Sequence, residues 1–413
     1  MTTTRDEALR RDQADPLARI RDRFDLPAGV IYLDGNSLGA LPKAVPARLA
    51  DVMAREWGTD LIRSWNDNDW WEAPLRVGDK LAPLIGAAPG QVAVGDSTSI
   101  NIYKQISAAC MMRPDRPVVL SETENFPTDL YMISQVVQAA GGRVEVATGA
   151  HMMDAITALG PDLAAVSLTH VNYRTGAMYD MKTVTDSVHA QGALMMWDLA
   201  HSAGAVPVEL DACGVDFAVG CGYKYFNGGP GAPAFLYVAE RHIDAYEHPL
   251  PGWYGHARPF EFEQRYEPVA GIGRALTGTP SLLSLLALET ALDAFDGVSI
   301  HEVRAKSIAL SEMFVELVEQ LLAGHGFTLA SPRNPADRGS QVSIAHEHGY
   351  RIKQALIDCG VIGDYRAPLL LRFGFTPLYT SFVDVWDAVQ ILVDIMESGR
   401  WREPRFAQKG AVT

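Results

Sequence analysis

The chain has 413 residues, enough for one large domain and a smaller companion, and its 48% hydrophobic and 21% charged content is ordinary for a soluble globular enzyme. A formal net charge of −15 lacks the basic stripe that nucleic acid requires. No charge-free apolar run is long enough to span a membrane, the charged stretch Met1 to Leu26 has no secretory apolar core, and the 4 cysteines form no CxxC pair and read as reduced thiols.

In chain order, Arg5 to Phe24 mixes Arg and Asp with Leu9, Leu17 and Ile20, which predicts a surface helix. Ile31 to Gly39 carries two glycines and Asn36, and reads as a shaped loop. Short apolar runs then recur at Gln91–Val94, Pro117–Leu120, Arg143–Val146, Leu163–Leu168, Ala193–Trp197, Phe217–Val219 and Ala234–Val238. Helix-compatible stretches such as Asp129–Ala140, Met152–Leu159 and Met181–Gln191 separate most of them. This rhythm predicts an α/β fold, a mostly parallel seven-stranded sheet with helices on both faces. The turn Phe226 to Gly231 is too short for a crossover, so the last strand is expected to run antiparallel.

After Pro280 the texture changes. Leu282–Phe295 and Val298–Leu322 are helical patterns, Gln341–Ser343 and Pro368–Phe373 read as strands, and Tyr350–Cys359 and Val383–Met396 as helices. The expected division is an N-terminal segment, 1–40, packing with a small α+β domain, 301–413, and a large domain, 41–300. The tail from Glu403 is expected to fray.

Candidate chemistry gathers at predicted strand ends. Asp198 closes Leu194-Met195-Met196-Trp197, on the edge that lines the crevice of open α/β sheets, although an Asp there also suits a helix cap. Lys224 follows the next strand and precedes Asn227-Gly228-Gly229-Pro230-Gly231. The interval between them fits one strand–helix–strand unit. It places a carboxylate and an amine on neighbouring strands, the pair that pyridoxal phosphate (PLP) needs for its Schiff base and its pyridine nitrogen. His201, three residues past Asp198, lacks further ligands at metal spacing, so no metal is expected. Ser97-Thr98-Ser99 opens a helix and offers an anion site, or simply a capped helix. Phe126 can stack on a planar ring, while Asp129 can approach that ring or cap a helix. Thr169-His170-Val171-Asn172 closes another strand and is a further lining candidate.

These segments, with Asp34-Gly35-Asn36-Ser37-Leu38-Gly39, Trp197-Asp198-Leu199-Ala200-His201, Gly222-Tyr223-Lys224-Tyr225-Phe226-Asn227-Gly228-Gly229-Pro230-Gly231, Gly252-Trp253-Tyr254-Gly255-His256 and Leu371-Arg372-Phe373-Gly374, resemble the fold-type I PLP enzymes of the class V aminotransferase branch. Within that branch the chain is similar to the kynureninases over nearly its whole length. The resemblance implies hydrolytic cleavage of L-kynurenine, or its 3-hydroxy derivative, to the anthranilate and L-alanine in tryptophan catabolism. It implies a cytoplasmic homodimer with its active site at the subunit interface.

Residue by residue, the resemblance implies that Lys224 anchors PLP and moves the Cα proton, that Asp198 pairs with the pyridine nitrogen and that Tyr223 carries protons. Phe126 stacks on the ring, Thr98 and Ser99 hold the phosphate, and Asp129, Thr169 and His201 line the ring. Trp253 and Thr279 complete the pocket, the latter from the other subunit. Arg372 binds the substrate carboxylate, and Asn36 lies with it at the substrate. Trp65 is a candidate for the aryl slot beside Trp70, Trp71 and Tyr254. A cysteine desulfurase or aminotransferase of the same branch is the alternative. A desulfurase would want a mobile loop cysteine, and Cys359 instead follows a helix.

Overall fold

The computed structural model describes residues 3–408. Its central sheet is made of β1 (Val92–Val94), β2 (Val118–Glu122), β3 (Arg143–Ala147), β4 (Leu163–Thr169), β5 (Leu194–Asp198), β6 (Phe217–Cys221) and β7 (Ala234–Val238). The spatial order is β1-β7-β6-β5-β4-β2-β3. Strands β2 to β6 pair in parallel, and β7 runs antiparallel to both β1 and β6. Successive residues of β5 explain why both faces are covered. Met195 and Trp197 enter one apolar cluster, and Leu194 and Met196 enter another on the opposite side.

A second, antiparallel sheet is formed by β8 (Thr328–Leu329), β9 (Gln341–Ala345), β10 (Asp364–Arg366) and β11 (Leu370–Gly374), in the order β8-β9-β11-β10. Helices Ile300–Leu321, Gly349–Asp358 and Phe382–Ser398 accompany it. Ser299 and Ser381 start the first and third of these with reciprocal capping boxes to Glu302 and Asp384. Among the described residues, no helix is long and apolar enough to cross a membrane.

Several expectations need correction. The first segment is not one surface helix. Helix Arg5–Ala14 ends before Pro16, Asp15 is extended, and a 3-10 turn, Ala18–Arg23, follows. Its inner side is buried: Asp12 accepts from the backbone N–H of Phe382 and Val383, and Asp15 pairs with Lys306 at 2.7 Å. In the shaped loop, Ile31–Tyr32 does form a short strand, parallel to Val361–Ile362. The tail is packed as far as it is described. Phe406 is buried and the Gln408 carbonyl accepts from Tyr350, while 409–413 lie outside the described residues.

The link from β5 to β6 is not a helix but a series of turns. Gly204, at φ 78°, and Pro207 each interrupt helical geometry soon after it begins. Asp198 and Lys224 nevertheless arrive on adjacent parallel strands, since the sheet pairing and not the link sets their separation.

Candidate active site

Thr169 and Asp198 are the last residues of β4 and β5 and lie directly opposite each other. Lys224 stands just beyond β6, at the same edge of the sheet. These ends enclose a cavity of about 110 Å³ lined by Thr98, Ser99, Phe126, Thr128, Asp129, Thr169, Tyr173, Asp198, Ala200, His201, Tyr223 and Lys224. Segments far apart in the sequence thus bring Lys224, Asp198, Tyr223, Phe126, Asp129, Thr169, His201, Thr98 and Ser99 to one place.

Local structure explains each position. Ser97 caps helix Thr98–Met112 by accepting from Ile100, which leaves Thr98 and Ser99 at the open helix start. Asp129 lies in the first turn of helix Pro127–Ala139 but makes no cap; it is buried against Asp198 instead. Asp198 serves both of its sequence readings, facing the cavity while one oxygen accepts from the Ala200 N–H at 2.8 Å. His170 misses the cavity and packs edge-on against Trp197, 5.6 Å between centroids.

The lysine turn is held from behind. Asn227 closes it at φ 58°, its N–H donating to the Lys224 carbonyl at 2.9 Å. Gly39 donates to the Tyr223 carbonyl at 2.8 Å, and a side chain at 39 would collide with Lys224 and Asn227. The loop from Asp34 to Gly39 is therefore a backing plate for the Lys224 turn.

Burial raises the affinity of Asp198 for protons, and the Lys224 cation opposes this. Asp129 is pushed well above the usual carboxylate range, first by burial and then by Asp198. Of the two facing carboxyls, Asp129 is raised further and is the protonated partner, so that Asp198 keeps the charge. Burial also drives His201 well below its ordinary value, reinforced by Lys224, Arg372 and Arg366. His201 is thus neutral, with Nε2 3.0 Å from Lys224 Nζ. The nearby Cys221 thiol, followed by burial, raises Tyr223, which therefore holds its proton and is a weaker acid than an ordinary phenol.

Other expected residues lie elsewhere. Arg372 is buried outside the cavity, in a bidentate pair with Asp364. It also donates to Ser37 Oγ at 2.8 Å and to the Tyr173 carbonyl at 2.5 Å. Asn36 is fully buried between Arg372 and Gln341; as Nδ2 it donates to Gln341 at 3.2 Å, and with the amide turned its oxygen accepts from Arg372 Nε at 2.9 Å. Trp65 belongs to an aromatic cluster with Trp70, Trp71 and Tyr254, at centroid distances of 5.9, 6.3 and 6.4 Å. Trp253 packs on Trp71 at 5.4 Å, and Thr279 is exposed; neither lines this cavity.

The comparisons agree with this geometry. A family model described as the kynureninase C-terminal domain matches residues 303–392. The chain is 53% identical to a kynureninase of Burkholderia pseudomallei over 99% of this chain and 100% of that one. It is 50% identical to the kynureninase of Pseudomonas fluorescens over 100% of both. The chain belongs to the kynureninase family. Among solved structures, the apo cysteine desulfurase of Thermococcus onnurineus NA1 superposes with a TM-score of 0.78 at 18% identity, over 96% of this chain and 100% of that one. A lysine-to-alanine mutant of C-DES, whose PLP cofactor carries a covalently linked glycine, gives 0.77 at 17% identity, over 91% and 99%. These two show the shared fold-type I architecture.

The residues fit the PLP that kynureninase chemistry uses. Asp129 Oδ2 is buried in the cavity wall without a partner, Lys224 supplies an amine, and the helix start at Thr98 supplies N–H groups for a phosphate. Among the described residues no cysteine lines the cavity, and Cys359 caps the end of helix Gly349–Asp358. The sequence reading missed Thr128, Tyr173 and Gln341. Thr128, between Phe126 and Asp129, and Tyr173, next after Asn172, adjoin residues already singled out and were legible. Gln341 is set by contact between the two sheets, which no local pattern encodes.

Proposed function

We propose that the chain hydrolyses the side chain of L-kynurenine, or of its 3-hydroxy derivative, releasing the anthranilate and L-alanine. The observation that carries this is Lys224 and Asp198 on neighbouring strand ends facing one cavity, in a chain more than half identical, end to end, to a named kynureninase. When bound, PLP supplies an electron sink for charge at the substrate's α-carbon.

The protein's own groups do the rest. Lys224 would anchor PLP and, as a free amine, would move the Cα proton through Nζ. Asp198 holds a negative charge for the pyridine nitrogen, and the proton on Asp129 prevents two adjacent buried charges. Thr98 and Ser99 would take the phosphate with Tyr223, whose hydroxyl stays protonated and would pass its proton only to a strongly basic carbon formed late in turnover. Phe126 offers its ring face, and Thr169 and His201 line the remaining wall. Arg372 binds the substrate carboxylate beside Asn36. Four of its five N–H groups are engaged, so a two-point grip requires the Tyr173 carbonyl to give way.

Exposed Trp253 and Thr279, with Trp65, serve the cavity of a second copy in a cytoplasmic homodimer. The exposed Trp57, Leu61 and Ile62 support that pairing. The division into 1–40, 41–300 and 301–413 is part of the same reading. Borohydride reduction with PLP, followed by peptide mapping, tests the anchor. The pyridoxyl label belongs on Lys224, and kynurenine turnover belongs with anthranilate and alanine; a label elsewhere, or persulfide or keto-acid products, overturns it.

A further inference from the structure

Gln341 is the first residue of β9 and is fully buried between the two sheets. Its Nε2 donates to the Asn172 and Tyr173 carbonyls, at 3.0 Å each. Those two bonds determine which way the amide points, because the reverse orientation would set oxygen against two carbonyl oxygens. Oε1 is therefore the atom turned to His201, 3.0 Å from Nδ1. An amide oxygen only accepts, so Nδ1 carries the hydrogen. Since His201 is neutral, its Nε2 is left with a lone pair, and that lone pair lies 3.0 Å from Lys224 Nζ. The groups acting on His201 are the cations Lys224, Arg372 and Arg366 and the neutral Gln341; Asp364 pairs with both arginines, and Asp198 faces Lys224.

We propose that Gln341 is a positioning residue of the small sheet, which fixes His201 as its Nδ1–H tautomer so that His201 Nε2 accepts from the Lys224 amine and aims it. In its neutral form, which Schiff-base formation requires, an amine that spends one N–H on His201 keeps its lone pair for the cavity. The opposite tautomer would set an N–H against the amine and remove this guide. Because Gln341 belongs to β9, the placement of the small sheet reaches the lysine through a single imidazole. The proposal rests on the reading of Lys224 as the reactive amine, but its first measurement does not.

The experiment uses full-length enzyme with ring 15N-labelled histidine, with and without PLP, and His201→Asn to assign the signal. Wild-type His201 shows a protonated Nδ1 and an unprotonated Nε2 from pH 6 to 9. Gln341→Met removes the acceptor and loses that pattern. Gln341→Glu keeps an acceptor at Nδ1 but places a carboxylate there, so His201 takes a second proton at higher pH than in the wild type. The rate at which Lys224 becomes borohydride-labelled by PLP falls by about 10–100-fold in Gln341→Met, the size typical of lost partners that orient a functional histidine. In Gln341→Glu the loss is confined to the acid side of the profile. A protonated Nε2 in wild type, or an unchanged tautomer in Gln341→Met, overturns the proposal. A correct tautomer with the label on another lysine leaves Gln341's control of His201 standing and overturns the aiming of Lys224, together with the functional reading.

Discussion

Gly39 tests whether the loop behind the lysine turn matters to catalysis. A Cβ at this position would lie 2.4 Å from the Lys224 carbonyl oxygen, 2.5 Å from Asn227 Oδ1 and 2.6 Å from Asn227 Cα. Two of these atoms are backbone and cannot rotate aside. Ordinary contact begins at 3.4 Å, so Gly39→Ala forces one backbone to retreat by about 1 Å, and a displacement of that size at a reacting group costs on the order of 10²-fold in rate. The accompanying overpacking costs about 1–3 kcal/mol of stability. The N–H of Gly39 that donates to Tyr223 moves with it, so the whole turn shifts rather than one atom. The assay is kcat/KM for kynurenine, beside the PLP dissociation constant and a denaturation curve. A Gly39→Ala enzyme with unchanged kcat/KM would show that the turn absorbs the clash and that the loop does not set the lysine's position.

Other predictions follow the same site outward. Lys224→Ala should retain PLP without a borohydride-stable bond and lose turnover by at least about 10²–10⁴-fold, the usual contribution of a positioned proton-transfer group; single-turnover kinetics on the PLP-loaded variant check this. Glu122, at the end of β2, is pushed up to about 7 by burial, so it costs stability as pH rises from the ordinary carboxylate range through 7. Glu122→Gln, which can still accept from Tyr179, should therefore stabilise the protein at pH 8 by up to about 3 kcal/mol and do little at pH 4, read by urea titration at both. Asp216 accepts from His189, His242, Arg241 and the Met195 N–H, and these partners hold it below the usual carboxylate range against the cost of burial. Its contribution is present above about pH 4 and is lost as pH falls towards the folded value, so Asp216→Asn should cost about 3–5 kcal/mol at pH 7 and progressively less in acid.

The large sheet was legible because its strands are buried on both faces and read as apolar runs between helical stretches. All seven appear, the last one antiparallel as its short turn required. The cavity residues were legible for a related reason. They sit at strand ends and helix starts, which local patterns mark. What escaped was the middle distance. The β5–β6 link has helical composition but is stopped by Gly204 and Pro207. Trp65, Trp253 and Thr279 lie away from the cavity of their own chain, where spacing alone cannot place them. Arg372 was anticipated as a carboxylate receptor, but Asp364, already paired with it, stands in another strand of the small sheet, and nothing local signals that pairing.

The small sheet reaches the site as a unit. In β9 and β11, Gln341 lies opposite Gly374 and Ser343 opposite Arg372. Positions two apart share a face, so Gln341, Ser343 and Arg372 all leave the sheet on the same side. All three grip one loop. Gln341 holds the carbonyls of Asn172 and Tyr173, Ser343 holds that of Arg174, and Arg372 holds Tyr173 again. That loop follows Thr169, the strand end opposite Asp198. A slip of one residue by β9 would turn Gln341 and Ser343 to the other face, and a slip by β11 would turn Arg372. The hydrogen bond to His201 and the guanidinium proposed for the substrate carboxylate are tied through this pairing and this shared loop, although both belong to strands that contribute no atom to the cavity wall. Substitutions that loosen this grip, such as Ser343→Val, are therefore expected to raise KM for kynurenine and to slow PLP attachment to Lys224 in parallel. A change in KM with normal attachment would mean that the carboxylate receptor and the histidine guide move independently.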